Sequence, residues 1–120
     1  MNSKKKILVA DDDPAILEVL TFMLEDAGYE VKTTVNGQTE RMARKFLPNL
    51  ILLDIWMAGS DGRTICKNLK HQKMTQHIPI IMISANKDTK KIAKVAGADD
   101  FMAKPFEMDD LLALVKKYAV

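Results

Sequence analysis

Apolar residues gather in four short runs, 6–10 (KILVA), 50–53 (LILL), 80–83 (IIMI) and 100–103 (DFMA). A fifth run, 30–35 (EVKTTV), is β-branched but more polar. Short runs of this kind predict strands. Between them the spacing turns helical. Ile16, Leu20, Met23, Leu24 and Ala27 recur at i, i+4, i+7, i+8 and i+11, and Gly28 follows as a stop signal. Residues 64–70 and 89–96 predict two further helices, 38–46 a less regular one, and Leu111, Leu112, Leu114 and Val115 mark the last. Glu107, Asp109 and Asp110 open that last helix, and Lys116 and Lys117 close it, as the helix dipole favours.

The order is βα repeated five times, which predicts an α/β fold: a doubly wound parallel sheet with helices on both faces. The first, third and fourth runs are nearly continuous in apolar character, as central parallel strands buried on both sides must be. The more polar second and fifth strands are then the edges. A length of 120 residues suits one domain, 1–120. No linker, repeat or low-complexity tract interrupts it, so no attached output domain is expected. A net charge of +2 makes no demand for nucleic acid or a membrane surface. The single cysteine, Cys66, rules out an internal disulfide and fits a reducing compartment. The basic start MNSKKK is followed by too short an apolar run for a signal peptide, and no stretch is long enough to span a bilayer. A cytoplasmic location is the expectation.

Chemistry is concentrated where the strands end. In a doubly wound parallel sheet the carboxyl ends share one edge, and ligands bind there. The first strand runs into Asp11 and Asp12, the third into Asp54, the fourth into Ser84 and the fifth into Lys104. If the first and third strands are neighbours, Asp11, Asp12 and Asp54 share a pocket. Two carboxylates about 4 Å apart repel by roughly 4 kcal/mol at an effective dielectric near 20. Protonation or a bound cation relieves this. The donors are hard oxygens, with no His or Cys beside them in sequence, so Mg²⁺ is favoured, with Mn²⁺ as a substitute. Asp13 before Pro14 has a different use, since Asp at the N-cap with Pro at the next position starts a helix.

These residues resemble the receiver domain of two-component response regulators, the CheY-like fold. The resemblance rests on Asp11 and Asp12, on LILLD ending in Asp54, on the Asp61-Gly62 pair, on IIMISA with Ser84, and on KPF at Lys104, Pro105 and Phe106. It implies a flavodoxin-like (βα)5 sandwich with strand order 2-1-3-4-5. It implies Asp54 as phosphoacceptor, receiving the phosphoryl group from a sensor histidine kinase or a histidine phosphotransfer protein. Asp12 would bind Mg²⁺ directly, Asp11 mainly through water, and the backbone carbonyl of Trp56 would complete the protein ligands. Ser84 and Lys104 would each bind a phosphoryl oxygen, a cis bond before Pro105 would aim Lys104, and Phe101 would be the aromatic switch. The readout would be the face of the fourth helix, fifth strand and fifth helix, acting on a downstream protein as a monomer or a phosphorylation-linked dimer. Such a domain assists its own phosphorylation but turns over no separate substrate. The chain departs from the family at Ala58, where proline usually follows Met57, which predicts a looser turn over 58–60. Asn49 replaces a common Asp, and Glu40 and Arg41 replace Ala and Leu, which puts the register of the second helix in question.

Lys87, Lys90, Lys91 and Lys94 recur at i, i+3, i+4 and i+7, a basic stripe that is either a solvated face or a docking surface for an acidic partner. Two other functions compete. Asp11 and Asp13 have the DxD spacing of a haloacid-dehalogenase-type phosphatase, although Pro14 starts a helix where that family needs a flap. A receiver-like scaffold without phosphotransfer would not need the full set of acids, hydroxyl and lysine.

Overall fold

The computed structural model describes residues 3–35 and 37–120; residues 1, 2 and 36 lie outside it, the first two belonging to the basic start. Each predicted strand is present: β1 (Lys6–Ala10), β2 (Glu30–Thr34), β3 (Leu50–Asp54), β6 (Ile80–Ser84) and β7 (Asp100–Ala103). Between β3 and β6 lie two short strands that the sequence did not predict, β4 (Trp56–Met57) and β5 (Ser60–Asp61). These pair antiparallel as a separate ribbon. The main sheet is parallel throughout, in the order β2-β1-β3-β6-β7, which is 2-1-3-4-5 when only its own strands are counted. This is the doubly wound flavodoxin-like sandwich.

Five helices cover it: α1 (Pro14–Asp26), α2 (Thr39–Phe46), α3 (Gly62–Lys70), α4 (Thr89–Ala96) and α5 (Met108–Tyr118). Strand side chains alternate between the two faces, and the core divides accordingly. Leu8, Ala10, Ile51, Leu53, Ile80 and Met82 pack with Ala43 of α2, Ile65, Cys66 and Leu69 of α3, and Ala93 of α4. Ile7, Val9, Leu50, Leu52, Ile81 and Ile83 pack with Leu20 and Leu24 of α1 and Leu111 and Val115 of α5. The edge strand β2 is mostly exposed, which accounts for its polar sequence.

Boundaries differ from the sequence expectation where pairing overrides side-chain character. The ladder carries β3 on to Asp54, opposite Ile83, and β6 on to Ser84, opposite Ala103. Helix α3 starts two residues early, because Asp61 caps it by accepting the Arg63 N–H at 2.9 Å. In α2 the buried positions are Thr39 and Ala43, with Met42 and Phe46 partly buried beside them, so Arg41 points to solvent. That resolves the register. Lys87 lies in the turn before α4 rather than on it. Among the described residues no helix is long and apolar enough to cross a membrane.

Candidate functional site

Ala10 and Leu53 are register partners in β1 and β3, so the residues that follow them, Asp11 and Asp54, emerge side by side. Both are almost fully buried, at 3% and 6% exposure, while Asp12 is exposed. One oxygen from each of Asp11, Asp12 and Asp54 lies within 4.8 Å of the others, the one such group of acid, His or Cys side chains among the described residues.

Each carboxylate has its own relief. Lys104, just past β7, places Nζ 2.9 Å from Asp11 Oδ2 and 3.8 Å from Asp54 Oδ2. The Asp13 N–H donates to Asp11 Oδ1 at 2.9 Å, and the Ala58 N–H donates to Asp12 Oδ2 at 2.9 Å. Asp54 is disfavoured as an anion. Burial first, then the neighbouring Asp11, pushes its pKa up to about 6, against the pull of Lys104 and a backbone hydrogen bond from Trp56. A cluster of oxygen donors, partly buried and short of positive charge, fits a hard divalent cation.

The remaining predicted residues surround this hollow. Ser84 is buried, and its Oγ accepts the Asn86 N–H at 3.0 Å. The Lys104 N–H donates to the Ser84 carbonyl at 2.9 Å, fixing where the lysine leaves the sheet. The Lys104–Pro105 bond is cis. Phe101 is half-buried against the α2–α4 core. Trp56 is 46% exposed, with the Arg63 guanidinium 4.6 Å above its ring. Arg63 also forks onto Asp61, with Nη2 2.7 Å from Oδ2 and Nε 3.0 Å from Oδ1, and these bonds hold the Asp61 carboxyl below its usual range. Lys87, Lys90, Lys91 and Lys94 are all exposed; Lys90 and Lys94 border a hollow of about 220 Å³ that Phe101 also lines.

Asp13 does not join the acids as a second reactive carboxylate. Its Oδ1 accepts the Ala15 N–H at 2.9 Å and caps α1, so the DxD reading of Asp11 and Asp13 is not favoured.

Three contributors were invisible as chemistry in the sequence. Gly62 opens α3 against the end of β3. A Cβ there would meet the Asp54 carbonyl oxygen at 2.5 Å and the Ile55 Cα at 2.8 Å, closer than side chains pack. The signal was a glycine at the start of a helix, where it lowers helix preference and so needs another reason. The Arg63 clasp and the Ala58 N–H carry no such mark: an arginine two residues after an aspartate is common, and a backbone donor has no sequence signature.

A family model for the response regulator receiver domain matches residues 7–116. The DNA-binding dual master transcriptional regulator RpaA of Synechocystis sp. is 39% identical over 114 residues, which are 92% of this chain and 47% of that protein. This chain thus spans about half the length of that curated relative. Among solved structures, the chemotaxis response regulator CheY4 of Vibrio cholerae matches with a TM-score of 0.89 at 28% identity, covering 97% of this chain and 99% of that one. The receiver domain of the sensor histidine kinase PA1611 from Pseudomonas aeruginosa matches with a TM-score of 0.89 at 28% identity over 98% of both chains. That structure has a magnesium ion coordinated in its active-site cleft.

Proposed function

The chain belongs to the response regulator receiver domain family, the phosphoacceptor switches of two-component signalling, and from that premise we propose that Asp54 is its phosphoacceptor. The observation that carries this is the setting of Asp54: a nearly buried carboxylate with a pKa near 6, flanked by two acids and faced by a lysine. At neutral pH most of it is ionised and able to attack phosphorus. The donor is the phosphohistidine of a sensor histidine kinase or phosphotransfer protein. An Asp54 oxygen bonds to phosphorus while the phosphorus–nitrogen bond breaks, and the electron pair leaves with the imidazole. The product is an acyl phosphate.

Positioning and charge compensation do most of the work in such a transfer. Asp11, Asp12, Asp54 and the Trp56 carbonyl would hold Mg²⁺, or Mn²⁺ in its place. When bound, the cation would supply positive charge to the approaching phosphoryl oxygens. Lys104 now rests on Asp11 and faces Asp54 at 3.8 Å, so a short movement brings its ammonium to a phosphoryl oxygen. The Ser84 oxygen accepts the Asn86 N–H, which leaves the Ser84 hydroxyl proton free to donate to another. The change reaches the surface through Phe101. It lines one hollow with Lys90 and Lys94, so its movement alters the face that α4, β7 and α5 present to a downstream protein. The lysine stripe suits an acidic partner. No separate substrate is turned over.

Incubation with acetyl phosphate and Mg²⁺, followed by intact-mass measurement, tests the assignment. The wild-type chain gains one phosphoryl group and Asp54→Asn gains none. Equal labelling of the two, or a wild-type chain that never gains the mass, overturns it.

A further inference from the structure

The three acids of the hollow are not held alike. Asp11 has a lysine and a backbone donor, and Asp54 faces the same lysine and accepts from the Trp56 backbone. Asp12 pairs with no cation among the described residues and is held from the far side of the hollow, by the N–H of Ala58. That bond joins two segments 46 positions apart in sequence: the β1–α1 loop and the turn of the β4–β5 ribbon. A carboxylate with one oxygen fixed by an N–H keeps its other oxygen for a cation.

The ribbon that presents this donor is itself secured. Trp56 pairs with Asp61 and Met57 with Ser60, leaving Ala58 and Gly59 as a two-residue turn. Arg63 lies over the Trp56 ring and forks onto Asp61, closing the open end. At the same open end, Gly62 donates its N–H to the Ile55 carbonyl at 2.8 Å.

We propose that the Ala58 N–H is a positioning donor that pre-sets the Asp12 carboxylate for a divalent cation, with the Arg63 clasp holding the ribbon that carries it. The inference rests on the reading of the acids as a Mg²⁺ site. It has a structural consequence specific to this chain, since a proline at this position has no N–H to offer. The turn itself would accept one. Ala58 has a negative φ and Gly59 a φ of 74°, the signs that a type II turn requires, and that turn favours proline at its first central position.

Ala58→Pro therefore separates the donor from the turn. Titration of metal-free wild-type and variant chains with MgCl₂ by calorimetry should show the variant binding about tenfold more weakly, the scale on which an outer hydrogen-bond partner tunes a metal ligand. The thermal midpoint in EDTA should be unchanged or higher, since proline narrows the unfolded ensemble. Ala58→Gly, which keeps the N–H, should bind within about twofold of wild type. Arg63→Ala should weaken Mg²⁺ binding by less than Ala58→Pro does. Equal Mg²⁺ affinity in wild type and Ala58→Pro overturns the inference and leaves the metal site standing. A wild-type chain that binds no Mg²⁺ overturns both. If Ala58→Pro melts well below wild type, Arg63→Ala decides: an affinity equal to wild type in that variant would show that the ribbon does not position Asp12.

Discussion

In β3, Leu50, Ile51, Leu52 and Leu53 have no solvent exposure and pack within the two apolar clusters of the core. One residue further, Asp54 is as hidden from water, at 6%, but its neighbours are two acids and a lysine. The backbone does not distinguish them: the same ladder pairs Leu53 with Met82 and Asp54 with Ile83. What differs is what burial accomplishes. In the interior it removes hydrocarbon from water and stabilises the fold. At the edge it removes a carboxylate from water and weakens the fold, and the carboxylate gains reactivity in return.

The largest effect that sharpens this contrast is expected in the interior. Leu52→Ala should cost about 2–5 kcal/mol of unfolding free energy by denaturant titration, because the sheet cannot collapse onto the space left between α1 and α5. A cost below about 1 kcal/mol would mean that this part of the core is as adaptable as the edge.

The edge should respond in the opposite direction. Asp54→Asn, measured in EDTA near neutral pH, should raise stability by about 1–3 kcal/mol. The sign follows from the raised pKa. Between about pH 4 and pH 6 the folded chain keeps a proton on Asp54 that the unfolded chain has released. This group therefore lowers stability as pH rises through that window, and its contribution stays level above it. The difference between variant and wild type should grow from pH 4 to pH 6 and then flatten. A variant less stable than wild type at neutral pH would show that the hollow is not the destabilised region described.

The smallest effect lies on the seam between the two regions. Gly62→Ala presses a methyl group against the backbone of Asp54 and Ile55. It should cost about 1–2 kcal/mol, since alanine's better helix preference offsets part of the overpacking. Its more telling readout is the rate of labelling by acetyl phosphate, which should fall as the end of β3 shifts. Unchanged stability and rate would remove Gly62 from the site.

The same contrast decides what could be read from the residues. β1, β3 and β6 were legible because strands buried on both faces must be apolar throughout, and the position of Asp11 and Asp54 at their ends put both acids on one edge. α2 was harder. Its inward face consists of Thr39 and Ala43 with Met42 and Phe46, so the apolar stripe is short and Glu40 and Arg41 interrupt it. The β4–β5 ribbon could not be seen at all. A strand of two residues has no periodicity, and its register is set by a turn and by the Arg63 clasp rather than by alternating side chains. The turn over 58–60 was expected to be loose for want of proline, whereas the ribbon pairs across it and uses the very N–H that proline would have removed.

Lys104 gives the hollow an arithmetic of its own. Three carboxylates and one tethered ammonium leave two negative charges, which one divalent cation would neutralise. A phosphoryl group on Asp54, as proposed, would replace a single charge with about two, so electroneutrality with a cation in place would be lost by about one charge on modification. That surplus must be met from within the molecule or across its surface. A hollow neutral with its cation and charged once modified would have a built-in reason to change shape.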